Sequence, residues 1–331
     1  CSRGFVTEFL AGSSVKFTET IPPREPYSLP IATWGHKYSG ELKRNGYDQH
    51  VLCIEDGFLR SVGLGAELVR PISWVIDPAG IYYDATRPSK LEEILQNYHF
   101  DDQLCKRAAA LRARIVAAGI TKYNLRRATQ WQRPPKERHV VLVIGQVETD
   151  ASIQYGANRI RRNIDLLQAV REIHPNSWIL YKPHPDVLAG LRNQGTDEDN
   201  ARDWCDEVIR DVPLEILFDH IDEIHVLTSL AGFEALLRSI PVSTWGQPFY
   251  AGWGLTKDYD LTQNVIARRT RHPSLDELVA AVLILYPTYI SRRTRQYCSP
   301  ERAVQELMDW RDESRSVPLL RRLLARAFRK P

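Results

Sequence analysis

Apolar and polar positions follow two different rhythms along this chain. From His139 onward, short apolar runs alternate with helical stretches. Val140-Val141-Leu142-Val143-Ile144 is apolar at every position, the pattern of a strand covered on both faces. Trp178–Tyr181, Glu223–Leu227 and Pro241–Thr244 read as further strands, with helices over Ala157–Ile173, from Pro213 through Leu217, and over Ala231–Arg238. Gly145–Gly156 reads as a loop. Each strand-then-helix pair favours a parallel sheet. Ser274 starts a helix to Leu285, and terminal helices are predicted over 300–312 and 318–330.

The first part of the chain is α/β but less regular. Val51–Ile54, Trp74–Asp77 and Ile81–Tyr83 read as strands. Ser89 caps a helix through Leu95, and Leu104, Ala108, Leu111 and Ile115 sit at helical spacing within 101–118. Pro22, Pro23, Pro26 and Pro30 mark an irregular lead-in. Gln130–Arg138 is polar, holds Pro134 and Pro135, and reads as a linker. The expected organisation is a domain over 1–130, a Rossmann-like domain over 131–290, and helices over 291–331 that cross back to the first domain. No repeat of solenoid period is present.

Composition narrows the classes. The 331 residues are 43% hydrophobic and 26% charged, enough apolar content for large cores. No apolar run approaches the ~18 residues that span a bilayer. The five cysteines are widely spaced, with no Cys-x-x-Cys pair, which argues against a disulfide framework or zinc cluster and fits a reducing cytosol. The start, Cys1-Ser2-Arg3, has no Met and no signal pattern, so the chain reads as cut from a longer protein. Of the net +3, residues 291–331 carry 11 basic against 5 acidic residues, and the remainder 33 against 36. The body is mildly acidic and the tail basic. Arg321, Arg322, Arg326, Arg329 and Lys330 beside Leu319, Leu320, Leu323, Leu324 and Phe328 make Val317–Lys330 an amphipathic helix suited to an anionic surface, or one docked on the first domain. The scarcity of basic residues elsewhere argues against nucleic acid.

Four polar motifs supply candidate chemistry. Three follow strands of the second domain, where open α/β sheets collect ligands. Gln146-Val147-Glu148-Thr149-Asp150 offers carboxylates able to act as nucleophile or base, or simply to face solvent. Lys182-Pro183-His184-Pro185 offers a cation and an imidazole for a phosphate, unless His184 is a packed loop histidine. Thr228-Ser229 precedes a helix, as an anion site or a plain N-cap. Glu234 follows one turn later, placed for a ribose diol or as an exposed helix carboxylate. The fourth motif, Glu55-Asp56-Gly57-Phe58-Leu59-Arg60-Ser61, presents two acids from the first domain. Trp245 and Trp253 offer faces for a sugar ring, with core packing as the alternative. Asp197-Glu198-Asp199 has no strand before it and reads as a solvated acidic loop rather than a metal site.

These residues carry a resemblance. Gln146–Asp150, His184-Pro185, Glu55–Ser61, Tyr82-Tyr83-Asp84-Ala85-Thr86-Arg87-Pro88-Ser89 and Trp245–Gly254 resemble the signatures of β-Kdo glycosyltransferase modules of the KpsC type, from bacterial capsule biosynthesis, across roughly 50–290. The resemblance implies a GT-B-like α/β fold, two facing Rossmann-like domains with a cleft between them. It implies retaining transfer of Kdo from CMP-β-Kdo to a Kdo-bearing phospholipid, without a metal or other cofactor. It also implies a second transferase module in the same polypeptide and a peripheral place on the cytoplasmic membrane face. The catalytic set expected is Asp150 as nucleophile with Glu148 and Asp56, the latter as acid/base or orienting group from the acceptor-side domain. CMP is expected over the strand ends at 181 and 227, held by Gln146, Lys182, His184, Pro185, Thr228, Ser229 and Glu234. Glu55, Arg60, Arg87, Gln247 and Trp253 are expected toward the acceptor or sugar. The His-Pro and Ser/Thr motifs are also similar to those of bacterial sialyltransferases, so CMP-sialic acid is the competing donor. A non-catalytic carbohydrate- or lipid-binding module is the competing class, opposed by intact Glu148, Asp150 and His184.

Overall fold

The computed structural model describes residues 3–21, 23–24, 29–47, 51–63, 69–122, 124, 131–134 and 137–316. Its strands are β1 (Ile31–Trp34), β2 (Val51–Asp56), β3 (Ser73–Asp77), β4 (Val140–Ile144), β5 (Trp178–Lys182), β6 (Glu207–Val208), β7 (Glu223–Val226), β8 (Val242–Thr244), β9 (Lys257–Asp258) and β10 (Pro287–Tyr289). One sheet runs β6-β5-β4-β7-β8-β9 with every pairing parallel. Counted within that unit, the order is 3-2-1-4-5-6, the doubly wound arrangement. All five residues of β4 are buried, as its unbroken apolar run predicts.

The other sheet runs β1-β2-β3-β10. β1 and β2 are parallel, while β3 is antiparallel to both β2 and β10. The chain therefore returns to the first sheet at Pro287, after completing the second. The whole is the mixed α/β, GT-B-like fold that the motifs implied.

Where local rules act alone, the elements fall where the pattern puts them. The Ser89 side chain accepts the Glu92 amide, and Asp101 accepts that of Leu104 at 2.7 Å, capping the helix Asp102–Ala117. Ser274 and Glu277 form a reciprocal capping box. The helix they start is α-helical over Leu275–Val279 and then widens into a π turn over Ala280–Leu285.

Three expectations are corrected. Ile81–Tyr83 is not a strand: the Asp84 amide turns back to the Ile81 carbonyl, and the Asp77 carboxylate takes the amides of Ala79, Gly80 and Lys90. Backbone groups satisfied locally leave nothing for a ladder. Gly145–Gly156 is not all loop, because Asp150 caps a short helix, Ala151–Gly156, and the next helix starts only at Asn163. Glu198 is not solvated. It is buried, accepts the Tyr181 hydroxyl at 2.5 Å and the Gly195 amide at 2.7 Å, and anchors the 3₁₀ turn Glu198–Asp203 to β5.

The two sheets share a continuous apolar core. Phe58, just after β2, lies 4.9 Å ring to ring from Phe249 and 6.1 Å from Phe233. The helix Asp102–Ala117 packs beside Leu275–Leu285 and Pro300–Ser316, burying Leu111, Ile115, Val279, Val304 and Leu307. Arg107 grips Glu301 with two bonds of 2.7 and 3.0 Å, and Arg112 meets Asp276 at 3.0 Å. The helix expected over Val317–Lys330 lies outside the described residues. Among the described residues, no helix is long and apolar enough to cross a membrane, and Cys53, Cys105, Cys205 and Cys298 are free.

Candidate active site

In a 3-2-1-4-5-6 sheet the ligand crevice lies outside the strand ends where the order reverses, here between β4 and β7. Gln146 and Thr228 occupy those two ends and bind each other. The Gln146 side-chain amide donates to Thr228 Oγ1 at 3.0 Å, and its Oε1 accepts the Thr228 amide at 2.8 Å. Asn163 holds the Gln146 backbone in the same reciprocal way. Gln146 is thus a clamp across the reversal point. Ser229 caps the helix Leu230–Leu236, accepting the Ala231 amide at 3.2 Å.

His184 sits at the β5 end of the crevice and caps Pro185–Leu188, with Pro185 at the first helical position. Its Nδ1 accepts the Asp186 amide at 3.2 Å, so in the neutral ring the proton is on Nε2. Burial, with Lys122 acting in the same direction against Asp186 and Asp150, lowers the imidazole's pKa and favours that neutral form.

The cleft between the two units has a volume of about 350 Å³. Trp34, Gly35, His36, Lys37, Glu55 and Tyr83 line it from one side, and Asp150, Ala151, Gln154 and Tyr155 from the other. Asp150 is exposed there, its carboxylate held by the Ala151 amide at 2.8 Å and the Ser152 hydroxyl at 3.3 Å. Glu55 faces it from the end of β2. Burial, together with the nearby Asp56 and Asp150 charges, pushes the Glu55 carboxyl up to about 7 against the pull of the Asp56 amide and Lys122. Gly35, at φ +49, leaves room for the Tyr83 hydroxyl, which a Cβ there would meet at 2.4 Å. His36 lies 3.1 Å from Asp84 and 4.5 Å, ring to ring, from Tyr155. Burial alone would raise Asp84; hydrogen bonds from His36 and Thr86 outweigh it and hold the carboxyl below its usual range.

Several predicted site residues have other partners. Glu148 accepts the amides of Asn163 (2.8 Å) and Thr196 (3.0 Å), and a Cβ on Gly195 would come within 2.5 Å of its carboxylate. It takes these two backbone donors and is not among the residues lining the cleft. Asp56 pairs with Arg60, which is buried and also binds Ser61, and neither lines the cleft. Strand alternation sends adjacent side chains to opposite faces, and Glu55 is the one that reaches the cleft. Lys182 donates to the Val212 carbonyl at 2.6 Å.

Glu234 is buried between the units, not exposed on its helix. It accepts the Lys122 amide at 2.7 Å, and burial pushes it up to about 7. Gln247 is buried and takes the Thr262 amide at 2.7 Å. Trp253 is 1% exposed, with its indole N–H on the Phe249 carbonyl, and Trp245 is buried and stacks on Tyr259 at 4.1 Å, so both rings take the core-packing alternative. Arg87 stays half-exposed beside Asp84 at 3.4 Å.

Lys122 is the cation that motif reading missed. Its charge acts on Glu55, His184 and Glu234 together. The segment is held by reciprocal bonds between Thr121 and Asn124, by Asn124 on the Ser61 carbonyl at 3.0 Å, and by the Ser61 amide on the Lys122 carbonyl at 3.3 Å. Nothing in its immediate sequence marks it, because its neighbours come from 60 to 110 residues away.

The profile of the family "Capsule polysaccharide biosynthesis protein" matches residues 30–126 and 97–289. The chain belongs to this family. It is 46% identical over 280 residues to the capsule polysaccharide modification protein LipA of Neisseria meningitidis serogroup A, covering 84% of this chain and 39% of LipA. It is 42% identical over 257 residues to the lipopolysaccharide-processing protein LpsZ of Rhizobium meliloti, covering 77% of this chain and 58% of LpsZ. The chain thus spans about two fifths of LipA's length. Two solved structures from Thermosulfurimonas dismutans KpsC are similar throughout. The β-Kdo 2,7 transferase superposes with TM-score 0.76 at 36% identity, over 92% of this chain and 95% of that one. The β-Kdo 2,4 transferase gives TM-score 0.81 at 33% identity, over 92% and 94%. Sequence and shape rank the two in opposite order.

Proposed function

We propose that this chain is a retaining Kdo transferase module of capsule biosynthesis, moving Kdo from CMP-β-Kdo to a Kdo-terminated glycolipid. The observation that carries the reading is the pair Asp150 and Glu55, two carboxyl groups facing one cleft from opposite units. Likeness to the two KpsC transferases supplies the sugar.

Asp150 attacks the anomeric carbon from the face opposite CMP. The bond to the phosphate oxygen breaks and CMP leaves with the electron pair. His184 Nε2–H donates a hydrogen bond to the departing phosphate, and Lys122 balances its charge. An acceptor hydroxyl then attacks from the vacated face, Glu55 takes its proton, and Asp150 departs. Two inversions give retention. Thr228, Ser229 and Gln146 form the floor under the nucleotide. Anchoring at an anionic membrane surface by Val317–Lys330 and a second module in the same polypeptide belong to the same proposal.

Incubation with CMP-Kdo and no acceptor tests it. A mass increase of one Kdo, mapped to Asp150 and absent in Asp150→Ala, is expected. An adduct on another residue overturns the nucleophile, and turnover of CMP-sialic acid in preference to CMP-Kdo overturns the donor.

A further inference from the structure

A cluster of histidines lies at the other end of the second sheet, away from the cleft. β4 begins there and runs five residues, about 16 Å, before reaching the Gln146 end. His139 precedes β4, with its carbonyl in the ladder to Trp178 at 2.8 Å. His174 closes the helix Asn163–Ile173, and Glu223 opens β7. One ligand atom from each of these three lies within 4.8 Å of the other two. His174 Nε2 is 2.8 Å from Glu223 Oε1, and His139 Nε2 is 3.3 Å from the same oxygen. Ligand atoms on a tetrahedral zinc with ~2.05 Å bonds stand about 3.3 Å apart, comparable with both histidine–carboxylate separations.

A second observation points into the cluster. His225 is fully buried on β7, and its Nδ1 accepts the indole N–H of Trp245 at 3.0 Å. An indole only donates, so the His225 proton belongs on Nε2. That Nε2 has no hydrogen-bond partner of its own and lies 3.4 Å from Glu223 Oε1. It is placed as the outer donor that orients a ligating carboxylate.

We propose that His139, His174 and Glu223 form a divalent metal site of the zinc class, backed by His225, that staples the helix Asn163–Ile173 to the leading edges of β4 and β7. Two imidazoles and one carboxylate are the ligand chemistry zinc accepts, with water in the fourth position. Lys257 is a cation whose charge reaches the cluster; its ammonium rests over the Tyr259 ring at 5.0 Å. The site stands apart from the transfer chemistry and does not depend on that reading.

Zinc alone is the probe. Tag-free protein, stripped with chelator, is titrated with Zn²⁺ by calorimetry and followed by thermal unfolding. One ion per chain is expected, with Tm raised by about 4 °C at a hundredfold excess over Kd. His174→Ala and Glu223→Gln should each abolish the binding while leaving CMP release from CMP-Kdo unchanged. Should either variant fail to fold, Co²⁺ added to wild-type protein should give the intense visible absorption of a tetrahedral site. No saturable Zn²⁺ binding, a weak octahedral Co²⁺ spectrum, or undiminished binding in the folded variants overturns the proposal.

Discussion

Replacing Glu55 by Gln separates the two halves of the proposed reaction. Glu55 Oε1 accepts the Asp56 amide at 3.0 Å, and a Gln oxygen can take the same bond, so the end of β2 should keep its shape. What is lost is the ability to accept a proton from the acceptor hydroxyl. A positioned general base contributes roughly 10²–10⁴-fold, and transfer to acceptor should fall by that amount. Formation of the Asp150 adduct and the first release of CMP need no base and should survive.

The pH dependence has a definite sign. Glu55 must be ionised to act, so wild-type kcat/KM for the acceptor should rise with pH through about 7 and then level. That limb should vanish in Glu55→Gln. Stability runs the other way. A carboxyl raised in the folded state favours folding fully below its unfolded value, and that contribution is lost as pH rises through about 7. Displacement from 4.5 to about 7 corresponds to about 3 kcal/mol, which Glu55→Gln should recover at neutral pH. The assay is parallel quantitation of CMP and glycosylated acceptor on both sides of that pH. Wild-type rates of transfer by Glu55→Gln, or a limb near 7 that persists in it, would refute the assignment.

Glu234→Gln should stabilise the fold above pH 7 by up to about 3 kcal/mol in urea unfolding, with the gain gone below about 4.5, because burial raises this carboxyl also. A large loss of CMP affinity in that variant would return Glu234 to the ribose. Gln146→Leu strands the Thr228 amide and hydroxyl, so it should cost about 2 kcal/mol and raise the donor KM more than it lowers kcat; an unchanged KM contradicts the clamp. Trp253→Ala should destabilise by about 3–5 kcal/mol, whereas Trp253→Phe should leave the acceptor KM unchanged, since the ring lies in the core.

Much of this architecture was legible in the chain itself. The unbroken run Val140–Ile144 fits a strand covered on both faces, and strand-helix alternation after it implied a parallel sheet. Ser89 and Ser274 announced their helices because a cap acts within four residues. The motifs Gln146–Asp150 and His184-Pro185 pointed to the strand ends that bound the crevice.

Side-chain direction was another matter. Glu55 and Asp56 are adjacent and alike in sequence, yet one lines the cleft and the other meets Arg60, because the register of β2 against β3 assigns their faces. Glu148 and Asp150 differ in the same way: one answers amides at Asn163 and Thr196, the other caps Ala151 at the cleft edge. Glu234 is a charged residue whose burial includes a bond from the Lys122 amide of the other unit, and Trp253 is buried with its N–H on the Phe249 carbonyl. Local sequence determines which backbone can form, since its rules reach one turn or one strand. Tertiary packing decides which of several similar side chains meets solvent, since the groups that compete for each come from distant segments.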